Sequence, residues 1–300
     1  MTATGVEVES PDNHGFEIKK RRRWVWIAAG LVVVVVAVVA GRLFFFGDTK
    51  SANEIPGATL VVATNEGNAA EQALIEYISR EVAPKHGIKV AFRGLSDSNT
   101  INRAVSDGEV AGTIYQHKLW LGQVLEANPD FREEAATPVF RWGFGIWSDK
   151  YRDVSQLPDG ANVSLYSDPA NEAQGLWLLE RAGLITLNPA VDKWTATRKD
   201  IVGNPKNLKF TLLDFAAQSR SLPDLDAAVG YTEYYLAAKV PLQQQIFAPP
   251  APDEFAGQLT IGSRWADADN IKKLVATFKD PAVQQFLATD PSVKGILLPL

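Results

Sequence analysis

An uncharged stretch near the N-terminus restricts the fold of this chain more than any other feature. Residues 24–41 carry no charged side chain, and residues 32–36 are an unbroken run of valine. Eighteen helical residues rise roughly 27 Å, which is close to the thickness of the hydrocarbon core of a bilayer. Trp24 and Trp26 lie where an aromatic belt would contact the headgroups. The sequence therefore predicts one transmembrane helix, which we place at residues 24–46.

The charges around this stretch predict the direction of the helix. Residues 19–23 are all basic, and no comparable run follows the apolar stretch. Because basic flanks stay on the cytoplasmic side, we expect residues 1–23 to form a cytoplasmic tail and the domain to lie outside the cell membrane, extracellular or periplasmic. A cleaved signal peptide is the alternative, although its apolar core is usually shorter. Residues 47–57 are polar and predict a linker before a domain that begins near Ala58.

Composition excludes several classes of site. The 300 residues contain no cysteine, which excludes disulfides, thiolate metal sites, a cysteine nucleophile and a lipid-bearing cysteine. The three histidines are too scattered in the sequence to suggest a metal site, and a formal net charge of −5 argues against a nucleic-acid partner. Serine-hydrolase, zinc-protease and phosphate-loop motifs do not occur. We therefore expect no enzyme, no metal and no cofactor.

Beyond residue 58, short β-branched runs alternate with segments of helical period. This alternation predicts an α/β fold with mostly parallel sheets, and its recurrence along the chain predicts two lobes. The predicted strands are 59–64, 88–92, 110–115, 141–147, 163–166, 208–212, 227–229 and 259–262. The predicted helices are 69–82, 99–105, 119–127, 169–183, 272–279 and 282–288.

Five stretches, in order, resemble one family of binding proteins. They are Tyr-Gln-His-Lys at 115–118, Ser-Asp-Lys-Tyr at 148–151, Ser-Asp-Pro-Ala-Asn-Glu at 167–172, the segment 200–210, and the segment 220–229. Together they are similar to the NlpA family, the solute-binding components of methionine ABC importers. The resemblance implies a two-lobed type II periplasmic-binding-protein fold that closes on its ligand. It places lobe 1 at 58–141 and 257–300, and lobe 2 at 142–256.

The resemblance also implies partners and a ligand. The partners are an ABC importer permease and its ATPase, and the ligand is amino-acid-like, either methionine or a related compound. A monomer is the expected state. A membrane-tethered sensor or scaffold with the same binding domain is the alternative, although a tail of 23 residues is too short to hold a signalling domain.

Candidate site residues follow the predicted strands, because ligands of open α/β sheets bind beyond the carboxyl ends of strands. Asn65 follows the first strand, and the family carries cleft residues at Tyr115, His117 and Asn171. Other interpretations stay open, since His117 can cap a helix, Tyr115 can pack in the core, and asparagine is favoured near helix starts. Trp142 brings an aromatic residue near the expected crossover between the lobes.

Two positions depart from the methionine-binding pattern of the family. Where such members carry an arginine, this chain has Gln174, and where they carry an asparagine, it reads Gly-Tyr-Thr-Glu at 230–233. We therefore include Gln174, Tyr231 and Glu233 among the ligand-binding candidates. Without the arginine a charge-assisted contact to a carboxylate is lost, and Glu233 favours a cation. We expect a ligand with an extra amine, a blocked carboxylate or a peptide-like group rather than L-methionine.

Overall fold

A computed structural model describes residues 51–300 of the chain. The predicted cytoplasmic tail at 1–23, the predicted transmembrane helix at 24–46 and the first residues of the predicted linker lie outside this range. Within residues 51–300, no helix combines the length and the apolar character needed to span a bilayer.

Strands and helices alternate along residues 51–300, which confirms the predicted α/β class. The strands are β1 (Thr59–Asn65), β2 (Lys89–Leu95), β3 (Gly112–His117), β4 (Glu133–Trp142), β5 (Phe144–Trp147), β6 (Asn162–Tyr166), β7 (Thr186–Leu187), β8 (Ile201–Gly203), β9 (Lys209–Leu213), β10 (Ala227–Tyr231), β11 (Gln245–Phe247), β12 (Ala256–Gly262) and β13 (Leu297–Leu298). The α-helices are α1 (Ala69–Tyr77), α2 (Ser98–Ser106), α3 (Lys118–Ala127), α4 (Pro169–Arg181), α5 (Phe215–Arg220), α6 (Thr232–Ala237), α7 (Asp269–Phe278) and α8 (Pro281–Thr289).

Two larger sheets organise these elements. The first has six strands in the order β13-β4-β12-β3-β1-β2, and the second has five in the order β11-β5-β10-β6-β9. In each sheet the chain places successive strands on both sides of a central parallel strand, β1 in the first and β6 in the second. Such a reversal leaves a crevice at the carboxyl ends of the strands, where ligands of α/β folds bind.

The sheets are mixed, so the prediction of mostly parallel sheets was wrong. Strands β12, β4 and β13 extend the first sheet by antiparallel pairing, and β5 and β11 do the same in the second. Most of the long strand β4, residues 133–140, was missed by the sequence analysis, because Pro138 and the polar residues before it interrupt the alternation of apolar and polar residues. Antiparallel edge strands are common on otherwise parallel sheets.

The chain passes from the first sheet to the second at Gly143, between β4 and β5. The sequence predicted one strand at 141–147, and the structure divides it here. A Cβ atom at Gly143 would lie 2.5 Å from the Gly295 carbonyl oxygen and 2.6 Å from Thr232 Oγ1. Its amide donates to the Ile296 carbonyl and its carbonyl accepts from the Thr232 amide, both at 2.8 Å. Only glycine fits this close crossing.

The segment before β1 packs against the domain from residue 51 onward. Ser51 Oγ donates to the Gly108 carbonyl at 2.8 Å, and Asn53 is buried. Asn270 Nδ2, at the start of α7, donates to the carbonyls of Ala52 and Ile55. These bonds fix the start of the described chain to the half of the domain that contains the first sheet.

Candidate functional site

A cavity of about 660 Å³ is lined by residues of both large sheets. Its volume lies in the range of roughly 300–1,000 Å³ that is usual for sites of small molecules. Residues at the carboxyl ends of β1, β3, β4 and β10 line it, together with the first turns of α1, α4 and α6. The cavity therefore occupies the place that the strand order predicts for a ligand.

Most of the residues chosen from the sequence line this cavity. They are Asn65, Tyr115, His117, Trp142, Asn171, Tyr231 and Glu233. Gln174 is not among the lining residues. It is buried one turn further along α4, where its amide oxygen position lies 2.8 Å from the Tyr231 hydroxyl. The structure thus brings seven of the candidates to one cavity and places the eighth behind Tyr231.

His117 ends β3 and also caps the helix that follows. Its Nδ1 accepts from the Trp120 amide at 3.1 Å, which leaves the ring proton on Nε2. Nε2 lies 3.2 Å from Asn171 Oδ1 and donates to it. Burial lowers the pKa of His117 to about 4, although the bond to Asn171 opposes this shift. The ring is therefore neutral at pH 7, and it both caps α3 and lines the cavity.

Asn171 is held in place by bonds on both sides of its amide. Asp168 is the N-cap of α4, as expected, and its Oδ1 accepts from the Asn171 amide at 2.9 Å and from Asn171 Nδ2 at 2.8 Å. The Tyr231 hydroxyl donates to Asn171 Oδ1 at 2.5 Å. Because one hydroxyl proton serves one acceptor, Gln174 satisfies Tyr231 best with its NH2 group turned toward the hydroxyl.

Tyr115 and Trp142 present aromatic faces to the cavity while their polar atoms bond to the protein. Asn102 Nδ2 donates to the Tyr115 hydroxyl at 2.5 Å. The indole N–H of Trp142 donates to Glu71 Oε1 at 3.3 Å. The rings of Trp142 and Tyr231 meet edge to face, with centroids 5.9 Å apart. Such contacts stabilise the aromatic walls in one arrangement.

The sequence analysis missed the carboxyl group of Glu71. Glu71 lines the cavity and is 1% exposed, and Thr64 Oγ1 donates to its second carboxylate oxygen. Burial, and next the negative charge of Glu233, raise the pKa of Glu71 well above its usual value. In the sequence, Asn68 and Glu71 read as an ordinary N-cap with an acidic residue at the third position of a helix. That role is real, because Asn68 Oδ1 accepts from the Glu71 amide.

Glu233 lies at the start of α6, on the other side of the cavity. Asn68 Nδ2 donates to its Oε2 at 3.1 Å. This bond crosses the cavity and joins the half of the domain that contains the first sheet to the half that contains the second. Burial raises the pKa of Glu233 to about 7, and the bond from Asn68 lowers it in part. Further aromatic residues missed by the sequence analysis, namely Trp120, Phe215 and Tyr234, complete the walls. Only their tertiary positions reveal them.

Comparisons with known proteins identify a matching family and similar proteins. The family model described as NlpA lipoprotein matches residues 60–299. The methionine-binding lipoprotein MetQ of Bacillus subtilis (strain 168) is 29% identical over 270 residues, which cover 89% of this chain and 96% of that protein.

Solved structures agree with this match. An ABC transporter periplasmic substrate-binding protein from Coxiella burnetii has a TM-score of 0.71 at 30% identity, covering 80% of this chain and 100% of its own. A nutrient binding protein from Burkholderia cenocepacia bound to methionine has a TM-score of 0.67 at 27% identity, covering 80% and 98%. Residues 51–300 therefore have the α/β fold of periplasmic-binding-like proteins.

Proposed function

Because this chain belongs to the NlpA lipoprotein family, we propose that it is the solute-binding component of an ABC importer. Its ligand is amino-acid-like, either methionine or a related compound. The observation that carries this proposal is the cavity of about 660 Å³ at the carboxyl ends of strands from both sheets. Support also comes from relatives that are named as methionine-binding or as substrate-binding proteins of an ABC transporter.

The chemistry of the cavity suits such a ligand. The walls are aromatic, and a thioether or another apolar side chain packs favourably against aromatic rings. Glu71 and Glu233 supply oxygen acceptors for an ammonium group. Asn65, Tyr115 and Asn171 supply polar groups that fix its orientation.

The two sheets correspond, in this proposal, to the two lobes of a type II periplasmic-binding fold. Lobe 1 comprises residues 58–141 and 257–300, and lobe 2 comprises residues 142–256. Support comes from sheet membership, which changes near both bounds. Phe144 and Phe247 belong to the second sheet, whereas Trp142 and Ala256, the two end residues of lobe 2, pair in the first. The ligand sits between the lobes and is released when they separate.

We further propose that residues 24–46 anchor the protein in the cell membrane as a single-pass helix. The relatives are named lipoproteins, yet this sequence offers no cysteine for a lipid. A helix preceded by the basic residues 19–23 replaces that anchor and leaves the binding domain outside. A monomer held near the importer permease and its ATPase can deliver ligand without leaving the membrane.

Calorimetry on the full-length chain in a mild detergent tests the binding function. The panel contains L-methionine, D-methionine, methionine derivatives and short methionine peptides. Binding by the wild-type chain, weakened in Asn65→Ala at a melting temperature close to that of the wild type, supports the proposal, because Asn65 lines the cavity and is only half-buried. A ligand at a hundredfold excess over Kd also adds about 2.7 kcal/mol to the free energy of unfolding. If no member of the panel binds, the proposed ligand class is wrong.

Cell fractionation tests the anchor. Expressed in a bacterial host, the full-length chain is expected in the membrane fraction. A variant with a cleavable signal peptide in place of residues 1–46 is expected in the soluble exported fraction. Recovery of the full-length chain as a shortened soluble protein would instead support cleavage of the N-terminal segment.

A further inference from the structure

The charged side chains of the cavity are all acidic. Glu66, Glu71 and Glu233 line it, and among the described residues that do so there is no lysine or arginine. His117 adds no positive charge, because burial keeps its ring neutral at pH 7. A ligand with a free carboxylate therefore meets no cationic partner in the cavity. Transfer of an unpaired carboxylate from water into such a site is costly.

Asn68 links the helix turn that carries Glu71 to the carboxyl of Glu233, and the negative charge of Glu233 acts on the Glu71 carboxyl. Asn68 accepts from the Glu71 backbone amide at 3.1 Å and donates to Glu233 Oε2 at 3.1 Å. Glu71 is fixed further by Thr64 and by the indole of Trp142. When both carboxyls are ionised, their negative charges repel each other. A proton or a bound cation therefore stabilises the pair.

A separate observation concerns a buried amide oxygen of a residue that lines the same cavity. Gln116 lines the cavity and is 1% exposed, and its Nε2 donates to Asn102 Oδ1 at 2.8 Å. Its Oε1 has no hydrogen-bond partner within residues 51–300. A buried amide oxygen left without a donor costs about 1–3 kcal/mol. A ligand N–H group removes this cost when the Gln116 side chain turns its oxygen toward the cavity.

We propose that Glu71, Glu233 and Gln116 form an acidic subsite for a ligand that carries an ammonium group and no free carboxylate. The ligand is an amino-acid amide or the N-terminal residue of a peptide, in which an uncharged amide replaces the carboxylate. This assignment rests on the proposed function, from which the methionine-like side chain of the ligand is taken. The subsite itself follows from the carboxyls and the unpaired amide oxygen of this cavity.

Charge balance favours a single ammonium. The Glu71–Glu233 pair carries about one negative charge when it holds one proton, and one ammonium neutralises it. A zwitterionic amino acid brings the same ammonium but leaves its carboxylate unbalanced beside Glu66 and the pair. The aromatic walls, which include Trp142 and Tyr234, add attraction for a cation over their faces.

The test compares ligands that differ in one group. Calorimetry on the full-length chain in detergent measures L-methioninamide, L-methionine and N-acetyl-L-methioninamide, which carry a cation, a zwitterion and no charge. The dipeptide Met-Gly tests whether a peptide is bound as well as a simple amide. We expect L-methioninamide to bind at least about tenfold more tightly than L-methionine, and the acetylated amide to bind least.

Two variants, each of which removes one negative charge, test the subsite. Glu233→Gln is expected to weaken L-methioninamide binding by about tenfold and to leave the weak binding of the acetylated amide unchanged. Glu76→Gln, which removes an exposed carboxylate from α1, is expected to change neither affinity by more than about twofold. A melting temperature for each variant separates loss of binding from loss of folding, and the ligand comparison on the wild-type chain needs no variant.

The outcomes separate the two proposals. Tighter binding of L-methioninamide or Met-Gly, sensitive to Glu233, supports the acidic subsite. Equal or tighter binding of L-methionine overturns the subsite and leaves the proposed function standing. If none of the four ligands binds, both proposals are overturned.

Discussion

Glu133 offers a direct measurement of what a buried carboxyl without partners costs this fold. It begins β4 and is 7% exposed, and neither of its carboxylate oxygens has a hydrogen-bond partner within residues 51–300. Burial raises the pKa of Glu133 to about 8, from 4.5 for an unperturbed glutamate. At pH 7 the carboxyl is therefore protonated in the folded protein and ionised in the unfolded chain.

The sign of the pH dependence follows from this difference. Between pH 4.5 and 8 the folded state binds one more proton than the unfolded state at this position, so the free energy of unfolding falls as the pH rises. Each pH unit contributes about 1.4 kcal/mol, so the loss between pH 5.5 and 7.5 is on the order of 2–3 kcal/mol. Glu133→Gln keeps the shape of the protonated carboxyl but cannot ionise.

Urea unfolding followed by tryptophan fluorescence, at pH 5.5, 6.5 and 7.5, measures the effect. The stability of Glu133→Gln relative to the wild-type chain is expected to rise by about 2–3 kcal/mol over this range. Glu134→Gln is the matched control, because it makes the same change at the neighbouring residue, which is exposed. A Glu133→Gln difference that stays constant within about 0.5 kcal/mol would refute the reasoning.

Three further predictions address the site and its support. The pKa of Glu233 near 7 means that affinity for L-methioninamide rises between pH 6 and 7 as this carboxyl ionises, by at most about fivefold, and falls above about pH 8 as the ligand's amino group loses its proton; a flat calorimetric profile contradicts this. Asp168→Ala removes the N-cap of α4 and should cost about 1 kcal/mol in urea unfolding, whereas Asp168→Asn keeps a cap and should cost less. Gly143→Ala forces a Cβ against the Gly295 carbonyl and should destabilise the fold by about 1–3 kcal/mol, while Gly122→Ala, where a Cβ meets open space, should not.

Periodicity and turn residues were enough to predict most elements and the place of the cavity. The helix after Asp168 begins where its cap and Pro169 indicate, and β1 and β3 end at Asn65 and His117, one and two residues beyond the predicted strand ends. These are local signals, which depend on a few neighbouring residues. Because the carboxyl ends of parallel strands converge, local signals also predicted which residues meet there.

Signals of longer range were missed. Strand β4 pairs with β12, more than a hundred residues later, and its own residues show no clear alternation. Glu71 looks like a solvent-facing cap residue until Trp142 and Glu233 are placed beside it. The buried state of a carboxyl depends on what the rest of the chain packs over it, and one segment of sequence does not contain that information.

The hydrogen bonds that cross the cavity also affect how long a ligand stays bound. His117 to Asn171 and Asn68 to Glu233 each join a residue of the first sheet's half to one of the second. In the proposed function the halves separate to release the ligand, which breaks both bonds at a cost of about 0.5–1.5 kcal/mol each. If this whole cost adds to the barrier for separation, the dwell time of the proposed ligand lengthens by roughly five- to 160-fold. A docking partner that supplies replacement hydrogen-bond partners for these residues would shorten the dwell time. Such a partner would thereby determine where the ligand is released.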